Sequence, residues 1–286
     1  MDWRFTHRST GMVVLFLTLS SAAADILRVS PVSRAAVEAR LGKYRGTDSE
    51  RAAALKRMFV EAGCGEHLSE QPVRGSKLPN IVCVQRGSSD KVILVGAHFD
   101  HVSAGDGVVD NWSGASLLPS LYEAIKNEPR KHTYLFIGFT DEERGLVGSR
   151  FYAHQMTKEQ VAVTDAMVNM DTLGLSPTKV WAVSRSDKRL ANALAYIGNL
   201  LNSPVRGVDF EEVGSSDSEP FAKRKIPSIT VHSLTQETWN AQILHAPKDK
   251  LSAMRLDDYY QTYHLLAVYL VFLDQFFEAP ETSTTQ

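Results

Sequence analysis

Residues Lys91–Gly114 read KVILVGAHFDHVSAGDGVVDNWSG. The stretch opens with Val92-Ile93-Leu94-Val95, an apolar, mostly β-branched run that predicts a strand buried on both faces. His98, Asp100 and His101 follow directly, and a glycine-rich loop then leads to Asp110-Asn111. Ser113-Gly114-Ala115-Ser116-Leu117-Leu118 starts a helix, so Asp110 falls near a helix N-terminus. An imidazole and a carboxylate at the C-terminal end of a buried strand, with a turn that returns a second carboxylate, is how an α/β enzyme builds a metal site.

Working outward, the same grammar recurs. Thr133–Thr140 (TYLFIGFT) is a second buried strand that runs into Asp141-Glu142-Glu143-Arg144-Gly145. Ala166–Met170 is a third strand ending at Asp171, Val180–Ser184 a fourth, and Pro227–His232 a fifth. Leu78–Gln85 reads as a strand, with Arg86–Asp90 as the turn of a hairpin into the core strand. Helices are predicted from Ser30 to Leu41, from a cap at Asp48 or Ser49 to Gly63, and over Leu117–Lys126, Gly148–Gln155, Lys188–Leu201 and about Leu256–Phe277. This alternation implies an α/β domain: a mostly parallel or mixed central sheet flanked by helices on both faces. Its ligand-type residues would converge where the strands end.

Composition narrows the function classes. The chain has 286 residues, a formal charge of -2 and 43% hydrophobic residues, which suits one domain over 25–286. No basic run stands out, so nucleic acid is not an expected partner. A basic start (Arg4, His7, Arg8), an apolar Gly11–Leu19 core and a small-residue end at Ala22-Ala23-Ala24 predict a secretory signal peptide over 1–24, cleaved near Ala24. The apolar core is too short to span a bilayer, and so is Leu265–Leu273, which reads as a buried helix. Secretion or periplasmic export would allow the two cysteines, Cys64 and Cys83, to form a disulfide.

Each candidate residue has an ordinary alternative. His98 could be a satisfied core histidine, Asp110 a turn residue beside Gly107, Glu142-Glu143 a solvated pair, Asp171 a cap and His245 a loop residue. The pattern outweighs the single readings. Asp100 can accept a ring N–H of His98 and fix its tautomer. Asp110 can bridge two cations through its two oxygens. Adjacent carboxylates such as Glu142 and Glu143 are costly to hold in a crevice without a cation between them.

These segments resemble the M28 family of zinc metallopeptidases, of the aminopeptidase Y or bacterial leucyl aminopeptidase type. The matching pieces are His98-Phe99-Asp100, Asp110-Asn111 with Ser113-Gly114, Asp141-Glu142-Glu143 with Gly145-Leu146 and Gly148-Ser149, Asn169-Met170-Asp171, Ser216-Asp217 with Pro220-Phe221, and His245. The resemblance implies two zinc ions, with His98, Glu143, Asp171 and His245 as ligands and Asp110 as the bridge. It implies Glu142 as general base, Asp100 as the residue that orients His98, and a cis Asp110–Asn111 peptide bond. The expected activity is aminopeptidase: hydrolysis of the first peptide bond of substrates with a free N-terminus. The chain departs from the family where Ser218-Glu219 follows Asp217 instead of His. It also lacks an obvious tyrosine to serve the tetrahedral intermediate, Tyr259 and Tyr260 being the nearest options. Two rivals share the fold: a single-zinc glutaminyl cyclase, and a non-catalytic binding domain that has lost its ligands.

Overall fold

The computed structural model describes residues 13–17, 25–181, 186–208 and 214–277. Eight strands form one mixed sheet in the order β3 (Leu68–Gln71), β4 (Asn80–Gln85), β6 (Thr133–Phe139), β5 (Val92–His98), β7 (Thr164–Met170), β10 (Ser228–His232), β8 (Lys179–Trp181) and β9 (Arg206–Val208). The four central strands β6, β5, β7 and β10 are parallel, while β4 and β8 flank them antiparallel. Separately, β1 (Val13–Leu17) pairs antiparallel with β2 (Asp25–Val29). The residues around the expected cleavage point near Ala24, and the end of the predicted fourth strand (182–184), lie outside the described residues.

Strand alternation sorts the core. Ile93 and Val95 of β5 join one apolar cluster with α1 (Arg34–Leu41), α2 (Asp48–Glu61), α3 (Ser113–Ile125), α6 (Lys188–Leu200) and α9 (Leu256–Phe276). Leu94 faces the other side, with Ile137, Phe139 and Met167. There it meets Ala153 of α4 (Val147–Gln155) and Phe221 of α7 (Glu219–Lys223). Both faces of the central strands are covered, which is why these strands read as continuous apolar runs. The Leu265–Leu273 run is buried in α9 except for the partly buried Phe272, and no helix among the described residues is long and apolar enough to cross a membrane.

Two local expectations are corrected. β4 does not form a hairpin with β5; β6 lies between them and pairs with both. A long parallel crossover through α3 inserts β6 there, and no turn chemistry at 86–90 can reveal that. The cap of α2 is Thr47 and not Asp48 or Ser49: its hydroxyl accepts the Glu50 N–H at 3.3 Å, and the Glu50 carboxylate accepts the Thr47 N–H at 2.7 Å. This capping box frees Asp48 to hold His101 Nδ1 at 2.7 Å.

Candidate metal centre

The C-terminal ends of the parallel strands meet in one crevice, as the topology of such sheets requires. His98 closes β5, Glu142 and Glu143 follow β6, and Asp171 follows β7. Asp110 comes back from the glycine-rich loop, whose Asp110–Asn111 peptide bond is cis. His245 enters from the loop after α8 (Gln236–Asn240), with a left-handed backbone (φ 54°).

Asp110 sits at the middle. Its Oδ1 lies 3.3 Å from His98 Nε2, and its Oδ2 lies 3.2 Å from His245 Nε2. Glu143 Oε2 reaches the same nitrogen of His245 at 3.0 Å, while Asp171 Oδ1 is 3.8 Å from His98 Nε2. Three donor triads result among the described residues, each with its donor atoms within 4.8 Å of one another. His98–Asp110–Asp171 and Asp110–Glu143–His245 share Asp110, and His98–Glu142–Glu143 lies across them. Glu142 stands beside the two that share Asp110, its carboxylate 3.9 Å from His98 Nε2.

Neighbouring groups fix these side chains. Asp100 approaches His98 Nδ1 at 3.5 Å, and its two oxygens accept the backbone N–H groups of Glu142 (3.0 Å) and Glu143 (3.1 Å). Asp171 accepts from the Ser216 and Thr172 hydroxyls at 2.6 and 3.0 Å. The Asn111 carboxamide ties Met170 O to the N–H groups of Gly114 and Thr172. Asp249 accepts the N–H groups of Val109 (2.7 Å) and Asp110 (3.1 Å).

The electrostatics are those of acids crowded together away from water. Burial, reinforced by Asp217, Asp171 and Asp110 and opposed by His98, pushes Glu142 up to about 10. Burial also raises Glu143 and lifts Asp217, which is wholly enclosed, to about 7. Burial would raise Asp110 too, but its contacts with His245 and His98 outweigh it and hold the carboxylate well below its ordinary value. For His98, burial disfavours the imidazolium, yet Glu142 and the surrounding aspartates prevail and the pKa rises. Asp110 and Glu143 raise His245 to about 10.

This donor set fits divalent metal. Imidazole nitrogens and carboxylate oxygens are zinc's ligands, and cobalt or manganese accept them as well. His98 Nε2 and Glu143 Oε1 are buried and, among the described residues, have no hydrogen-bond partner of acceptable geometry. A cation between the carboxylates would counter the burial, and the smaller repulsion from neighbouring acids, that now raise Glu142 and Glu143.

The crevice continues into a cavity of about 780 Å³. Trp181, Leu234, Trp239, Ile243 and Leu244 form its apolar wall, and His232 at the end of β10 lines it too. His232 Nδ1 accepts the Leu234 N–H, and burial lowers its pKa to about 4. Neither tyrosine proposed from sequence belongs here. Tyr259 OH donates to Ser113 O at 2.9 Å, deep between helices, and Tyr260 OH donates to Val32 O. The chain's sequence gave no signal for Asp249 or His232 beyond an acid four residues after His245 and a histidine at a strand end.

A profile of peptidase family M28 matches residues 80–270. Aminopeptidase YwaD of Bacillus subtilis (strain 168) is 26% identical over 204 residues, covering 65% of this chain and 44% of that protein. The chain therefore spans less than half the length of that curated relative. LapA aminopeptidase of Legionella pneumophila superposes with a TM-score of 0.72 at 22% identity, covering 84% of this chain and 70% of its own. A glutaminyl cyclase from an Acidobacteriales bacterium superposes with a TM-score of 0.73 at 14% identity, covering 91% and 99%. Both superpositions speak for the α/β fold. The profile spans more than half of the chain and every residue of the three donor triads, and on that ground the chain belongs to peptidase family M28.

Proposed function

We propose that this protein is a zinc-dependent aminopeptidase with a two-ion centre. The observation that carries the reading is the division of the Asp110 carboxylate between two triads, one oxygen toward His98 and the other toward His245. His98 and Asp171 would hold one ion, Glu143 and His245 the other, with Asp110 shared. Zinc bound there would acidify a water to a pKa of about 7 and polarise the scissile carbonyl.

The chain's own residues do the rest. Glu142 faces the cavity beside both triads, where it can take a proton from the attacking water and return it to the leaving amine. Asp100 holds the backbone of Glu142 and Glu143 and faces His98, so base and ligands are aimed together. The apolar wall of Trp181, Leu234, Trp239, Ile243 and Leu244 can take the first side chain of a peptide. The acidic mouth can take its free ammonium group. We further propose export through the N-terminal leader, a reading supported by the Cys64–Cys83 disulfide.

Zinc quantification, combined with a panel of aminoacyl-anilides and an N-acetylated control, tests this. About two zinc per chain and hydrolysis blocked by acetylation are expected. Loss of ammonia from a Gln-initiated peptide, without bond cleavage, would replace the peptidase with a cyclase. Protein that purifies with no metal affinity would leave only a binding domain.

A further inference from the structure

The loop from Phe99 to Val109 carries the bridging Asp110, and its backbone polar groups are claimed from outside the centre. On one side stands helix α2, which precedes the span matched by the family profile. Arg51 of α2 is 1% exposed, and its guanidinium donates to three carbonyls of this loop: Gly107 O at 3.1 Å, Phe99 O at 3.5 Å, and Asp106 O. It also lies over the Trp112 ring, 5.7 Å from the centroid. One turn earlier on the same face, Asp48 holds His101. On the other side stands Asp249, which accepts the N–H groups of Val109 and Asp110 and offers its own carbonyl to Asp106 N–H at 2.8 Å.

The loop has no slack between these two. Gly107 is left-handed (φ +55°), and a Cβ there would stand 2.4 Å from His101 Cβ and 3.0 Å from Arg51 Nη1. A Cβ on Gly105 would stand 2.3 Å from Ala246 O, beside His245. A buried cation is costly unless its donors are used. Here Nη1 and Nη2 are spent on the loop carbonyls at the foot of the crevice, Gly107 O also accepting the Trp112 backbone N–H at 3.2 Å, while Nε is buried without a partner of acceptable geometry among the described residues.

We propose that Arg51 is a positioning residue for the bridging carboxylate, acting with Asp249 as a two-sided clamp on the loop that delivers Asp110. It touches neither substrate nor ion. The proposal rests on the metallopeptidase reading only for its catalytic consequence, since the clamp itself is a property of the chain.

The test uses Arg51→Met, Arg51→Lys and Asp249→Asn in the full-length protein, with Arg57→Ala, an exposed position on the same helix, as control. Backbone amide exchange over 99–112 is measured in metal-free protein and cobalt(II) binding is followed by its visible spectrum. Arg51→Met should speed exchange in this segment about 10-fold with β5–β7 unchanged, and weaken cobalt binding by roughly 10–100-fold, the range seen when groups behind a metal ligand are removed. It should lower kcat with KM within about 2-fold, and Arg51→Lys should recover most of each loss. If Arg51→Met does not fold, Asp249→Asn must show the same exchange and cobalt effects for the proposal to stand. Unchanged exchange and an unchanged cobalt spectrum in a folded Arg51→Met would overturn it. A parent protein that binds no cobalt would instead sink the metallopeptidase reading, and exchange alone would then decide the clamp.

Discussion

The Asp100 carboxylate accepts the backbone N–H of Glu142 at 3.0 Å, so the residue that faces His98 also sets the loop bearing the proposed base. One buried acid thus couples two strand ends, β5 and β6. Asp100→Asn keeps the shape but replaces an acceptor oxygen with an N–H donor that opposes the Glu142 or Glu143 amide. It should lower kcat by roughly 10–100-fold. Steady-state kinetics on an aminoacyl-anilide measure this, and a kcat within 2-fold of the parent would show that Asp100 is dispensable for aiming either group.

Glu142→Gln removes the proton acceptor and leaves both Asp110 triads intact. Metal content should remain at the parental level while kcat falls by about 10²–10⁴-fold, the usual contribution of a general base. Near-normal turnover with full metal loading would remove Glu142 from that role.

The two imidazoles differ in access. His98 is about 1% exposed at its side chain and His245 56% exposed. Chelation should therefore proceed in two phases, with the ion on the His245 side leaving first. His245→Ala should retain about one equivalent of metal, whereas His98→Ala should bind weakly and melt lower. Equal, single-phase loss of both ions would contradict this asymmetry.

At the opposite end of the sheet, His132 is enclosed between Asp274 (3.0 Å) and Asp165 (3.2 Å), and Asp274 also accepts the His132 N–H. Burial opposes charging of His132, but the two aspartates outweigh it and raise its pKa. For Asp274, burial is likewise outweighed, by His132 and two backbone amides, and its pKa is lowered. A raised histidine stabilises fully below its unfolded value near 6.5, and loses that contribution as pH rises through the folded pKa. A lowered aspartate stabilises above about 3.8 and loses it as pH falls. The cluster should thus contribute most in mildly acidic solution. His132→Gln should cost about 3 kcal/mol there and less at pH 9, so the melting curves of variant and parent should converge as pH rises. Parallel curves across that range would show that His132 is neutral in the folded protein.

The Cys64–Cys83 disulfide closes a span of 19 residues that joins the end of α2 to β4. Loop-closure entropy for that length is worth about 3 kcal/mol. Reduction, or Cys64→Ala with Cys83→Ala, should lower the melting temperature by roughly 10 °C. Mass spectrometry of unreduced protein should find no free thiol.

Much of this was legible in the chain because its signals are local. β5, β6 and β7 are apolar runs with an ionisable residue just past each, and a buried parallel strand leaves little freedom about where that residue points. His98, Glu142, Glu143 and Asp171 were readable for that reason, Asp110 from the glycine-rich loop and helix start that follow β5, and His245 through the family resemblance. What escaped depends on distant partners. Nothing around Arg86–Asp90 tells that β6 comes between β4 and β5. Arg51 sits in an ordinary amphipathic helix, and only folding brings its guanidinium beneath the Asp110 loop. Tyr259 lies on the helix face that meets α3, which periodicity alone could not separate from the face toward the crevice.

The parallel strands divide the molecule's labour along their length. The candidate metal centre lies past their carboxyl ends, while His132, Asp165 and Asp274 fasten α9 to their amino ends, roughly 20 Å away for seven residues of strand. Thermal endurance and catalytic competence can therefore be tuned separately: sequence changes that harden the lower rim against heat or alkali need not disturb the chemistry above it.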